Sequence, residues 1–171
     1  MTPGFEIRLS SMIKALEQVV LPAVEPGNGF ATEQLAITIG QLEMLRLQWP
    51  YAHGYAERCL DDIVALGRSV AHHASSPTGD AVMDSVLLAG ESDASSTDEL
   101  IAQRDRIGNV ICAAIEDIAI QGDEHKWRTV AKLVIEHEGL AHERNRAWFA
   151  RTGMDPQSSE WPPIQTLVRQ N

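Results

Sequence analysis

The segment His137-Glu138-Gly139-Leu140-Ala141-His142 carries two histidines and a glutamate, the residue types of a helical zinc site. Its spacing is wrong for one ion. Five residues on an α-helix turn His137 and His142 about 140° apart, whereas the HExxH arrangement uses a four-residue step on one face. Only a π-bulge would restore that geometry, and nothing in the sequence demands one. The i,i+4 pairs His53/Glu57 and Glu138/His142 could each offer two ligands, enough for an open mononuclear site in a metal-dependent enzyme. Glu57 and His142 fall off the apolar seams, so surface pairing is the simpler account. The Glu-x-x-His step of di-iron carboxylate bundles occurs nowhere. No metal and no cofactor are expected.

A second constellation is basic. Helical spacing assigns Arg104, His137 and Arg144 to interior positions, where an unpaired charge is costly. Together they could hold the carboxylate or phosphate of a small anionic ligand. The competing account is that Arg104 and Arg144, near helix ends, run their stems along apolar surface and reach water. His137 is then a core histidine with a partner. Other chemistry has no support: Pro26-Gly27-Asn28-Gly29 is followed by no Gly-Lys-Ser/Thr, and no GxSxG occurs. His72-His73 suit the negative end of a helix dipole. Cys59 and Cys112 are isolated, and Cys59 reads as a small buried hydrophobe.

The 171 residues carry a formal charge of −10, unevenly placed. Between residues 75 and 100 stand Asp80, Asp84, Glu91, Asp93, Asp98 and Glu99, with no Lys or Arg. The simplest reading is a solvated loop, the alternative a docking site for a basic partner. Phosphate backbones and anionic lipids repel such a chain, so neither nucleic acid nor membrane is an expected partner. The first residues mix Glu6, Arg8, Lys14 and Glu17 and lack an apolar signal-peptide core. No apolar run approaches the ~20 residues of a membrane span. A cytoplasmic location is expected.

The elements that must position these groups are helices. No stretch alternates with period two, while apolar residues recur at three- and four-residue steps almost throughout. A first helix spans about Phe5 to Val20 on the seam Leu9, Met12, Leu16 and Val19, after a Thr2-Pro3 start. A long second helix runs from about Ala31 to Ala74 and contains Pro50, which kinks rather than breaks it because the apolar phase survives. Residues 75–97 form the acidic loop region, with a short helix over Asp80–Ala89. Ser96-Thr97-Asp98-Glu99 is a capping box opening a helix to Gln121, and Gly122-Asp123 turns tightly into the next. That last helix carries Trp127, Val130, Val134, His137, Ala141, Arg144 and Trp148 and ends at Gly153. The tail, residues 153–171, is pinned by Trp161. The expected architecture is a single all-α domain over residues 1–171. It is an antiparallel bundle of four main helices, the second kinked at Pro50 and the tail docked.

The second helix is unusual because it is apolar on two faces. One stripe reads Leu42, Leu45, Trp49, Ala52, Ala56, Cys59, Ile63, Leu66 and Val70. The other reads Ile37, Gly40, Met44, Leu47, Tyr51 and Gly54, about 200° away. A helix apolar all round is buried on both sides. The first stripe fits the bundle, and the second is expected to meet its own copy in a homodimer. The function read from these features is a non-catalytic, self-associating helical bundle acting through protein contacts. A module for a small anionic ligand and a metal-dependent enzyme remain the alternatives.

Overall fold

The computed structural model describes residues 3–91, 94–150, 157 and 159–168, and among them every regular element is helical. The chain divides into two compact units. One comprises Met1–Tyr51 with Arg146–Ile164, the other Ala52–Asn145 with Gln165–Asn171.

In the first unit, α1 (Phe5–Ala15) runs into a π turn at Leu16–Val20 and a last α turn at Leu21–Ala23. The sequence anticipated one regular helix to Val20. Instead the Leu21 N–H donates to the Leu16 carbonyl, an i→i+5 bond that accommodates an extra residue. The expected seam is also displaced before that turn: Leu9 and Ile13 are buried, while Met12 and, within the π turn, Val19 are exposed. Pro22 sits inside that last turn. Gly27, with φ +101°, turns the chain, and Asn28 caps α2 (Gly29–Gln48) by accepting from the Ala31 N–H at 3.2 Å. Phe5 stacks on Trp49 with ring centroids 4.2 Å apart, and Arg46 Nη1 donates to Ser10 Oγ at 3.5 Å. The start of α1 thus lies against the end of α2, so the two helices run in opposite directions. Trp161 takes the Arg146 guanidinium over its ring at 4.4 Å, and Arg146 Nη2 donates to Gln157 Oε1. Thr2, Asp93 and Gly153, named above, lie outside the described residues.

Pro50 stands in a 3-10 turn, Trp49–Tyr51, that separates α2 from α3 (Ala52–Ala71). The helical path anticipated over Ala31–Ala74 is therefore two α-helices with a tighter turn between them. Proline has no N–H to continue the i→i−4 ladder, which favours such a turn.

The second unit holds the main core. Ala56, Leu60, Leu66 and Val70 of α3 meet Val82 and Val86 of α4 (Ser76–Glu91). Leu100, Ile107, Ile111, Ala114 and Ile118 of α5 (Thr97–Gln121) complete it, with Val130 of α6 (Glu124–Phe149). The region anticipated as loop with a helix at Asp80–Ala89 is helical from Ser76 to Glu91. Its acids sit on the outer face of a helix whose inner face, Gly79, Val82 and Val86, is apolar and buried. The capping box is complete: Ser96 Oγ accepts from the Glu99 N–H at 3.2 Å, and Glu99 Oε2 accepts from the Ser96 N–H at 3.1 Å. Gly122 closes α5 with φ +71°, and Asp123 Oδ1 accepts from the Lys126 N–H to start α6.

Candidate functional site

The polar groups of the second unit gather where α3 faces α6. Tyr55, Cys59 and Asp62 follow at i, i+4 and i+7 on α3, one face of a helix. Opposite them stands Arg144, whose side chain is only 11 % exposed. Its guanidinium pairs with the Asp62 carboxylate, and Nη1 lies 3.8 Å from the Cys59 sulfur. The Tyr55 hydroxyl donates to Asn145 Oδ1 at 2.5 Å. Burial, with Cys59 beside it, holds the Tyr55 phenol well above its ordinary range, so it stays a neutral donor.

Helical spacing placed Arg144 at an interior position, either to hold a ligand's anion or to reach water along its stem; in the structure it faces an anion of the chain's own. Tyr55 and Asp62 were missed. A signal existed in Asp62, which sits one position from Ile63 of the apolar stripe and therefore needs a cation near the core. Arg104 and His137 do not join this ion pair. Gln103 takes the buried position one step earlier on α5, because the seam advances by three residues from Leu100 rather than four. Arg104, with its side chain 43 % exposed, directs its guanidinium to the neighbouring Asp105 at 2.7 Å. His137 lies seven residues from both Val130 and Arg144, on the inward face of α6, and is half-buried.

Of the candidate metal pairs, His53/Glu57 meets as an i,i+4 surface pair. His53 Nε2 approaches Glu57 at 3.9 Å, while its Nδ1 lies 3.4 Å from Thr97 Oγ1. Among the described residues no three His, Cys, Asp or Glu side chains form a group suited to a metal ion. An open groove of about 350 Å³ between α4 and α5 is lined by Leu88, Ala89, Ala102 and Gln103, with Glu99 and Arg106. Its Glu99 carboxylate already accepts from the Ser95 and Ser96 N–H groups, which hold its pKa below the usual range.

The second apolar stripe lies on α2. At 100° per residue, Arg46 and Trp49 point roughly 140–160° away from the Ile37–Gly40–Met44–Leu47 stripe. Their contacts with Ser10 and Phe5 put α1 on that opposite side. None of the 20 residues of α2 is buried. Ile37 and Gly40 are exposed, Met44, Leu47 and Tyr51 half-buried, and a Cβ built on Gly40 would meet nothing within 4 Å. Gly54, anticipated as the end of this stripe, belongs to α3 beyond the 3-10 turn.

Among the described residues no helix is long and apolar enough to cross a membrane. Comparison with protein-family models, curated proteins and solved structures finds no match to this chain.

Proposed function

We propose that this chain is a non-catalytic helical protein that acts through protein contacts and associates with its own copy through α2. The observation that carries the reading is a 20-residue helix, apolar on two faces, with no residue buried within its own chain. More than half of the large apolar residues left exposed among the described residues precede residue 50. Exposed apolar surface of that extent marks an interface. The reading also takes the four main helices as an antiparallel bundle, for which the left-handed Gly122 turn between α5 and α6 is support. Pro50 then bends the path from α2 to α3 without ending it, consistent with the single 3-10 turn there. Free thiols at Cys59 and Cys112 suit a cytoplasmic setting.

The anionic-ligand reading through Arg104, His137 and Arg144 has less support, since both arginines already face carboxylates. The test of the leading reading is sedimentation of the intact protein. Wild type is expected as a dimer, and the Met44→Glu/Leu47→Glu variant as a folded monomer. A wild-type monomer at high micromolar concentration refutes it.

A further inference from the structure

The open groove of about 350 Å³ between α4 and α5 is within the size range of sites that hold a small molecule. Glu99 and Arg106 both line it from α5, seven residues apart. Seven residues are two helical turns, so the two side chains share a face about 10 Å apart along the axis. That is too far for them to pair with each other.

Both charges have capacity left. Arg106 has Ala102, Gln103, Asn109 and Val110 as its three- and four-residue neighbours, so its own helix offers it no carboxylate. Among the described residues it makes no ion pair or hydrogen bond. Glu99 accepts from the Ser95 and Ser96 N–H groups through Oε2, which closes the capping box and leaves Oε1 for a further donor. The same bonds favour its ionised form. The rest of the lining is mostly apolar: Leu88, 58 % exposed, with Ala89 and Ala102. Ser85 adds a half-buried hydroxyl that bonds nothing else among the described residues.

These groups select a ligand class. A simple anion would meet Arg106 but also Glu99 and the acidic α4, which carries Asp80, Asp84 and Glu91 and no Lys or Arg. A simple cation would meet Glu99 and be repelled by Arg106. A ligand of opposite charge at its two ends satisfies both. Three extended residues span about 10–11 Å, the separation of the two side chains, and their amide groups can meet the Ser85 hydroxyl.

We propose that the α4–α5 groove binds a short peptide with free termini, its ammonium at Glu99, its carboxylate at Arg106 and an apolar side chain against Leu88. The inference is independent of the dimer reading, because the groove lies wholly within the second unit and α2 within the first.

The test titrates the intact protein with the tripeptide Ala-Leu-Ala and follows binding by calorimetry. The free peptide is expected to saturate the protein at millimolar concentration or below. Acetylating its N-terminus or amidating its C-terminus removes one charge, and each should weaken binding about tenfold. Arg106→Gln should weaken the free and acetylated peptides about tenfold but not weaken the amidated one further. Glu99→Gln should do the converse. It keeps the fold, because glutamine also closes a capping box, and circular dichroism checks this. No saturation by the free peptide at millimolar concentration overturns the inference. Equal losses for all three peptides in Arg106→Gln overturn the placement of the termini. A doubly capped peptide that binds as tightly as the free one overturns the inference too, and gives the groove to an internal segment of a protein partner.

Discussion

Ser75 donates its hydroxyl to the Asp117 carboxylate across 2.5 Å, fastening the turn between α3 and α4 to α5. Thr78 Oγ1 adds a second bond at 2.9 Å and Gln121 Nε2 a third at 2.8 Å. These bonds, that of Ser75 first, hold the Asp117 carboxyl below its ordinary range. A carboxyl whose folded pKa is depressed contributes stability above the unfolded value near 3.9, and loses it as pH falls through the lower folded value. Asp117→Asn should therefore lower the urea midpoint at pH 7, with the difference from wild type closing towards pH 2. A gap that is independent of pH would assign the effect to shape rather than charge.

Two glycines should respond oppositely to alanine. A Cβ on Gly79 would stand 2.8 Å from the Ala71 carbonyl oxygen, so backbone must move, and Gly79→Ala should cost about 1–3 kcal/mol. Gly108, inside α5, has open space around it, and Gly108→Ala should gain about 0.4–1 kcal/mol. Thermal and urea unfolding of the two variants measure both signs.

Arg144→Met leaves the Asp62 carboxylate unpaired beside the core. Removing one member of a fully buried pair costs about 3–5 kcal/mol. The Asp62 side chain remains 21 % exposed, so a loss of about 1–3 kcal/mol is expected here. The double variant Arg144→Met/Asp62→Asn should recover part of that loss, and a double-mutant cycle gives the coupling. Strict additivity would show the pair to be uncoupled.

His137→Leu should fold with stability within about 0.5 kcal/mol of wild type, or above it, because it extends an apolar face of α6. If calorimetry shows wild type binding a carboxylate or phosphate ligand and the variant not, the anion reading regains ground.

Helix type and helix ends were legible wherever they rest on local chemistry. The Ser96/Glu99 box and the Gly122-Asp123 turn each satisfy backbone groups within a few residues, so sequence alone determines them. Much of the α3 seam, Ala56, Leu66 and Val70, was legible for the same reason, being set by helical period, whereas on α6 Val130 is buried but Trp127 is exposed. What the sequence could not decide was where a seam may step by three or by four. Gln103 rather than Arg104 lies inside because α5 packs against both α3 and α4, and the two contacts together select the face that turns inward. The π turn escaped notice too, since an inserted residue leaves composition and average spacing nearly intact and shows only in which side chains are buried. The acids of α4 resembled a loop because their charge hides a narrow apolar face of Gly79, Val82 and Val86. Arg144 marks the boundary most clearly. Its spacing gave an interior position but left open whether the charge meets an anion or reaches water, and only tertiary packing, by bringing Asp62, 82 positions earlier in the chain, against it, decided that.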